Sequence, residues 1–412
     1  MGFFPPWRRV VCPFCFKRFH LSRCPQRHIL PSSPTEPDTS IGTFLSIAAP
    51  EMGIVRPRIA KNPFYSLYRL FFSDGDWQGN ARSVCPYCHM LLPNAMASGQ
   101  LAGDVIAIIG ARSSGKSNYF GVLLRALESR YADEVGFTIY DQETFSIREM
   151  RPVSSKRLYR ERYGRLFDAV SRMAIDQNQS AAQDRDLRIP LIYRLEFPRR
   201  LRHYLTHPLS RRVPMDFVIF DAAGEDMEDP IAIEQFCRFI LAAAGIIFIV
   251  DPLQFPGIRQ RLSNSLLKRC PLLQVQPTEV VSRVINLFES RGSLKAGRKI
   301  KVPVAFTFSK SDVLKDLVHR SSPILRDSRH QHGFDEEGCR RLSEEVAECV
   351  REWDGPQLVN LARDKFHTAS FFAMSALGQM PDENLAIEAV SPLRIADPLL
   401  WLLWQRGYIR GA

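Results

Sequence analysis

The chain has 412 residues, 45% of them hydrophobic, which is enough for a sizeable core and two domains. Its net charge of +11 admits nucleic acid, an anionic membrane or an acidic protein as partner and by itself selects none. The longest apolar run, Phe239 to Val250, is too short to span a bilayer and contains Gly245, and the start MGFFPPWRR has neither a secretory signal pattern nor the myristoylation pattern, so a cytoplasmic chain is expected.

Residues 1 to about 100 are rich in Pro, Arg and aromatic residues and show little helical period. They hold Cys12-Pro-Phe-Cys15 and Cys85-Pro-Tyr-Cys88. A CxxC turn presents two thiolates to one ion, and two such turns complete a tetrahedral Zn²⁺ site. In a reducing compartment this use of cysteine fits metal better than disulfides. Cys24, His20, His28 and His89 are spare ligands, so a second site or a different ligand set stays open. Such a ribbon is more often structural or a docking module than catalytic. Ser32 to Thr39 (SSPTEPDT) reads as a loop. Eleven Lys/Arg against five Asp/Glu over residues 1–100 also admit nucleic acid as a partner.

Asp104 to Ser117 reads DVIAIIGARSSGKS. Val105 to Ile109 has the composition of a buried strand, and the residues from Ser117 to Tyr131 have helical period. Between them lies Gly110-x-x-x-x-Gly115-Lys116-Ser117, the P-loop pattern. Its glycines allow backbone angles closed to other residues, so that loop amides can turn toward phosphate oxygens at a helix N-terminus. Lys116 would reach the β- and γ-phosphates and the Ser117 hydroxyl would ligate Mg²⁺. Arg112, Ser113, Ser114 and Asn118 complete the candidate phosphate contacts.

Beyond this point apolar strands alternate with helices. Strands are expected at 104–109, 135–140, 190–196, 215–220, 246–250, 302–308 and 369–374, and helices at 116–130, 157–174, 230–243, 278–290, 336–352 and 396–406. The alternation predicts an α/β fold with a mostly parallel sheet covered by helices on both faces. A long stretch, about 141–212, reads as an insertion. It carries the basic segment Ser155 to Arg172 and the cluster Arg199, Arg200 and Arg202, either a binding surface or a solvated face, and an apparent loop over 178–186.

Three later motifs fall at strand ends. Phe217-Val-Ile-Phe-Asp221 is followed by Ala222-Ala223-Gly224-Glu225, so that Asp221 can hold Mg²⁺ and the Gly224 amide can sense a γ-phosphate. After the strand at 302–308 comes Ser309-Lys310-Ser311-Asp312. A carboxylate here can accept from N1–H and the exocyclic amine of guanine, groups that adenine does not present in that arrangement. The Lys310 stem can cover the base, and Asp312 equally suits a helix N-cap. Ser375-Ala376-Leu377 ends a further strand, where main-chain amides could bind guanine O6.

With these motifs in this order, the segment from Asp104 to Leu377 resembles the Ras-like, translation-factor-related P-loop GTPases. The resemblance implies GTP/GDP and Mg²⁺ as cofactors and catalytic roles for Lys116, Asp221 and Glu225. SKSD departs from the usual Asn/Thr-Lys-x-Asp at its first residue. Glu225 stands where a water-orienting Gln is common, and Arg112 offers a cation that could offset its charge. Thr138 and Thr144 are both candidates for the switch threonine. The ribbon-like head (1–100), the GTPase domain (101–412) and the closing helix (396–406) together resemble the double-GTPase proteins of bacterial conflict systems, which implies a switch beside a partner protein, another GTPase being one candidate. An ATP-dependent NTPase on the same core, or a nucleotide-regulated nucleic-acid binder, is the alternative. The leucine- and tryptophan-rich closing helix is expected to dock on the core, with an exposed aromatic docking motif as the other reading.

Overall fold

A computed structural model describes residues 9–28, 34–56, 81–93, 96, 105–111, 113–168, 172–175, 189–198, 212–220, 230–269, 276–291, 294, 297–354 and 356–412. The N-terminal part is built from very short strands: β1 (Arg9–Val11), β2 (Arg18–His20), β3 (Gln26–His28), β4 (Thr35–Pro37), β5 (Glu51–Gly53), β6 (Val55–Arg56) and β7 (Ala81–Ser83), with helix α1 (Thr39–Leu45) between β4 and β5. Of the loop expected at 32–39, Thr35–Pro37 is instead a strand, paired with Glu51–Gly53. Asp38, next in the chain, caps α1 by accepting from the amides of Ser40 (3.0 Å) and Ile41 (3.1 Å).

The α/β core follows. It comprises β8 (Val105–Gly110), α2 (Lys116–Ala126), β9 (Thr138–Asp141), β10 (Glu143–Ser146), β11 (Arg151–Ser154), α3 (Ser155–Tyr163), β12 (Leu191–Pro198), β13 (Arg212–Ile219), α4 (Pro230–Ala242), β14 (Ala243–Val250), α5 (Pro277–Arg291), β15 (Val304–Phe308), α6 (Glu336–Asp354), α7 (Gln357–Lys365), β16 (Ala369–Ala373) and α8 (Asp397–Gln405). Four strands form a parallel sheet in the order β16-β15-β14-β8, and β13-β12-β9 form an antiparallel one, with β13 running beside β8. Every residue of β8 and β15 is buried, as strands covered by helices on both faces require. Phe248, Phe306 and Phe371 sit in register on neighbouring strands and stack at 5.3 Å, a ladder that fixes the pairing.

Each expected core strand forms within three residues of its expected bounds. The helix expected over 157–174 is shorter: α3 ends at Tyr163, and Gly164–Phe167 continues as a 3-10 turn. The charges of α3 are paired at the surface. Arg157 bonds Glu161 at 3.0 Å and also Glu149, and Lys156 meets Glu128 at 3.5 Å, so this stretch is a solvated face. Within residues 141–212, β12 is hydrogen-bonded to both β9 and β13 and is part of the sheet. Arg199, Arg200, Arg202 and the expected loop at 178–186 lie outside the described residues.

The closing helix docks on the core. Leu399, Leu400, Leu402 and Leu403 are fully buried, and α8 packs on β14 and β15. Its first residue, Asp397, accepts from Arg394 at 2.7 Å and from His330 Nε2 at 3.0 Å. The Asp335 amide donates to His330 Nδ1, which sets the Nε2–H tautomer. Burial alone would raise the Asp397 pKa, but His330 and Arg394 outweigh it and hold the carboxyl low. Cys339 completes a buried Asp–His–Cys group there, but the Arg394 cation on the same carboxylate opposes a metal ion.

Asp216 on β13 is the opposite case. It is fully buried, and among the described residues neither carboxylate oxygen has a hydrogen-bond partner. Burial pushes its pKa up to about 7, only partly countered by Arg194 across the ladder. The folded value thus lies above the unfolded one, roughly 3.9. The burden is full above pH 7 and is relieved as pH falls toward 4. Asp216→Asn should therefore stabilise the fold at pH 8 by on the order of 1–3 kcal/mol, with the gain shrinking by pH 5. Thermal melts of both proteins across that range check it; a gain independent of pH would contradict the assignment.

Among the described residues no helix is long and apolar enough to cross a membrane.

Candidate functional site

The phosphate loop leaves the carboxyl end of β8. A Cβ on Gly110 would lie 2.4 Å from the Ile249 carbonyl oxygen and 2.8 Å from Ser114 Oγ, so the close approach of β14 requires glycine there. Gly115 sits at φ 91°, the left-handed region that glycine enters at least cost. Ser113 also has positive φ, at 57°, which curls the chain inward between the two glycines. Lys116 and Ser117 are buried at the start of α2. The Lys116 ammonium donates to the carbonyls of Gly110 (2.6 Å) and Ala111 (2.8 Å), so its charge is centred on the loop. Ser114 Oγ is buried and among the described residues has no partner. A loop with a buried cation and an orphan hydroxyl is chemically suited to phosphate oxygens.

Because β14, β15 and β16 run parallel to β8, their carboxyl ends share one edge with this loop, where open α/β sheets place their ligands. The edge carries the other motifs. Lys310, at φ 54°, reaches back to donate to the Ser113 carbonyl at 3.3 Å and pairs with Asp251 at 2.6 Å. The Ser375 hydroxyl donates to Asp312 Oδ1 at 2.6 Å and accepts from the Gly378 amide at 2.8 Å. The Ser309 amide donates to the Val250 carbonyl at 2.9 Å, which locks the turn after β15 to the end of β14. Ser309, Lys310, Asp312, Ser375 and Ala376 are thus assembled beside the P-loop.

Asp251 belongs to this assembly and was missed from sequence. It is buried just after β14, caps the turn that follows through the Leu253 amide (3.0 Å), and holds the Lys310 ammonium against the loop. Its only signal in the sequence is an apolar strand ending in Asp, the feature that singled out Asp221.

Asn118 faces elsewhere in the loop's surroundings: its side chain amide donates to the Ile175 carbonyl (3.2 Å) and accepts from the Ile175 amide (2.9 Å), pinning α2 to residues 172–175. Of the two threonine candidates, Thr144 is buried and donates to the Pro190 carbonyl at 2.6 Å, a structural role, whereas Thr138 opens β9. Arg112, Asp221, Gly224 and Glu225 lie outside the described residues. β13, which leads into Asp221, runs beside β8.

The four cysteines Cys12, Cys15, Cys85 and Cys88 converge. Two matching turns build the cluster. In the first, the Phe16 amide donates to the Cys12 carbonyl (3.0 Å) and the Phe14 amide points at Cys12 Sγ (3.4 Å); in the second, His89 donates to Cys85 (3.0 Å) and the Tyr87 amide points at Cys85 Sγ (3.5 Å). Phe16 and His89 take the same left-handed conformation at the same position of each turn. The sulfurs of Cys12 and Cys88 are 3.8 Å apart and those of Cys15 and Cys85 3.7 Å. A tetrahedron of thiolates around zinc, with bonds near 2.3 Å, has edges of about 3.8 Å, so the donor set fits that ion. Burial pushes the Cys12 and Cys88 thiols up. Among the described residues, Cys24, His20, His28 and His89 join no such cluster. His89 instead bonds Asp38 through Nδ1 at 3.0 Å, beside the buried Arg27, which pairs with the same carboxylate at 2.5 Å.

No family model matches the chain. A protein of Mycolicibacterium smegmatis (strain ATCC 700084 / mc(2)155), SaeC, whose name assigns it to ESX-1 scaffolding and assembly, is 28% identical over 346 residues, covering 79% of this chain and 80% of that one. Among solved structures, the chain is similar to the Saccharomyces cerevisiae Ski7 GTPase-like domain bound to GDP and inorganic phosphate (12% identity, 74% of this chain and 50% of that one, TM-score 0.29). It is also similar to the Chaetomium thermophilum signal recognition particle receptor SRb-GTP/SRX complex (9% identity, 68% and 94%, TM-score 0.24).

Proposed function

We propose that the chain is a guanine-nucleotide switch that hydrolyses GTP slowly and acts through a partner protein. The observation that carries this reading is the link between the two halves of the site: Lys310 bonds the P-loop carbonyl of Ser113, while two residues on Asp312 is held by Ser375 at the same sheet edge. In this reading Gly110 to Ser117 cradle the phosphates, Asp312 reads the base, Ser375 and Ala376 flank it, and Ser117 and Asp221 hold Mg²⁺. The Ala222 to Glu225 segment would change order with the γ-phosphate. A carboxylate at Glu225 cannot donate to the developing charge, so fast turnover would need a cation from Arg112 or from a partner. The cysteine cluster would hold one closed, structural Zn²⁺. An ATP-specific site would leave the Asp312 carboxylate without its guanine donors, which disfavours that alternative.

The name of the relative SaeC supports a setting in which the switch directs protein assembly. The order of cysteine-rich head, GTPase core and docked terminal helix supports the second setting, a pair of GTPases in a conflict system. Recovery of a second GTPase in stable complex with this chain would favour the latter.

Single-turnover hydrolysis across a protein concentration series tests the switch. Intrinsic turnover of roughly 10⁻⁴–10⁻² per second is expected, and an added activating partner should raise it by about 10³-fold or more. Lys116→Ala should abolish binding or turnover, and Glu225→Ala should leave GTP binding intact while changing the rate. A concentration-independent rate on the order of one per second in the isolated chain would overturn the partner-dependent reading.

A further inference from the structure

A cleft of about 630 Å³ lies between the cysteine turns and two helices of the core. One wall is Lys17 and Arg18, just after Cys15, with Tyr87 from the tip of the second turn; the other is Arg238 and Leu241 of α4 with Arg291 of α5. The two walls are fixed to each other. Gln235 of α4 donates to the Phe14 carbonyl at 2.7 Å, and the Phe16 ring packs against Phe239 at 4.9 Å and Phe220 at 5.6 Å. The cleft is therefore preformed, and of a size usual for ligand sites.

Its charge is one-sided. Lys17, Arg18, Arg238 and Arg291 face it, and among the described residues Glu234, which meets Arg291 at 2.5 Å and Arg238 at 3.5 Å, is the acid paired with them: of the described groups, four cations less one acid leaves +3. Arg238 and Arg291 come from two helices and share that one carboxylate, an arrangement an incoming carboxylate can enter by exchange or by addition. Between the cations the floor is apolar, formed by Leu241 and Phe288.

We propose that this cleft docks an acidic peptide segment of a partner protein, with carboxylates on Arg238, Arg291 and Arg18 and one apolar side chain on the Leu241–Phe288 floor. Single-stranded nucleic acid, the other polyanion, needs open ring faces on which bases stack. Among the described residues the lining offers little of this: Phe16 and the floor residue Phe288 are only 3% and 7% exposed, and the Lys17 ammonium already lies 4.9 Å from the centroid of the exposed Tyr87 ring. The inference names the chemistry of the partner proposed above and does not depend on the nucleotide reading.

The test selects a displayed random-peptide library on the full-length, zinc-loaded chain at low salt. Enriched sequences should combine Asp or Glu with a single apolar anchor. A synthetic peptide of that consensus should lose binding about tenfold or more in Arg238→Glu/Arg291→Glu, and should weaken with added salt. Arg238→Gln/Arg291→Gln gives the same loss with less disturbance, and zinc content and GTP affinity of both variants should match the parent. Enrichment of neutral or basic peptides, equal binding to the charge-reversed variant, or no enrichment at all would overturn the proposal. So would labelled poly(U) binding the parent more tightly than the peptide and depending on the same arginines. Failure of the parent to bind GTP would instead remove the nucleotide reading and leave the peptide result standing.

Discussion

Asp312→Asn is expected to weaken GTP binding by roughly thirty- to several-hundred-fold, equivalent to about 2–4 kcal/mol, and to improve binding of xanthosine nucleotides. The reason is local. A carboxylate at this position accepts from two neighbouring donors of guanine, and an amide replaces one acceptor with a donor, which matches the xanthine edge instead. Ser375 sets the orientation of that carboxylate through the 2.6 Å bond to Oδ1. Ser375→Ala should therefore cost less, about 1 kcal/mol, and shift no specificity toward xanthine. Competition titration with GTP, ATP and XTP decides the matter. Equal affinity of the unmodified chain for GTP and ATP would remove guanine from the reading altogether.

What could be read from the sequence follows the range over which each signal acts. The strand, loop and helix around Gly110 to Ser117 are contiguous, and each glycine states its own backbone requirement, so the backbone of this element was legible, whereas Asn118, expected among the phosphate contacts, instead pins α2 to Ile175 and Arg112 lies outside the described residues. Lys310 and Asp312 were legible as a motif, but Asp251 was not. Its role exists only because Lys310, 59 positions along the chain, folds back onto it. The cysteine turns were visible one at a time, and the fold brings them together, in two turns of the same geometry, across 70 residues or more. His89 looked like a spare ligand because it adjoins Cys88; the left-handed turn rotates it away to Asp38 instead. The β10–β11 hairpin and α7 were missed. The former is two strands of four residues each, too short for a period to declare itself, and α7 follows α6 so closely that one pattern runs into the next.

Removal of the proposed zinc should have the largest effect on the molecule. Among the described residues of the N-terminal part every strand has three residues or fewer, and the small core there is built around Cys12, Cys15, Cys24, Cys85 and Cys88 themselves. Such a core cannot offset the ordering of the surrounding loops without a cross-link, and a structural zinc supplies about 10 kcal/mol or more. Elemental analysis of chain purified without chelator is expected to give one zinc per molecule. Cys85→Ser, or chelation, should destabilise residues 1–100, read by proteolysis, and leave GTP affinity mostly intact, because among the described residues the P-loop and the Lys310–Asp251 pair hydrogen-bond to no side chain of this part. The cleft should go with the metal, since Lys17, Arg18 and Tyr87 sit on the two cysteine turns. A zinc count of zero would refute the site. A count near two would bring Cys24 and the nearby histidines back as ligands. Loss of GTP binding together with zinc would show that the contacts of Phe14 with Gln235 and of Phe16 with Phe220, the residue before Asp221, carry the state of the cysteine turns into the nucleotide site.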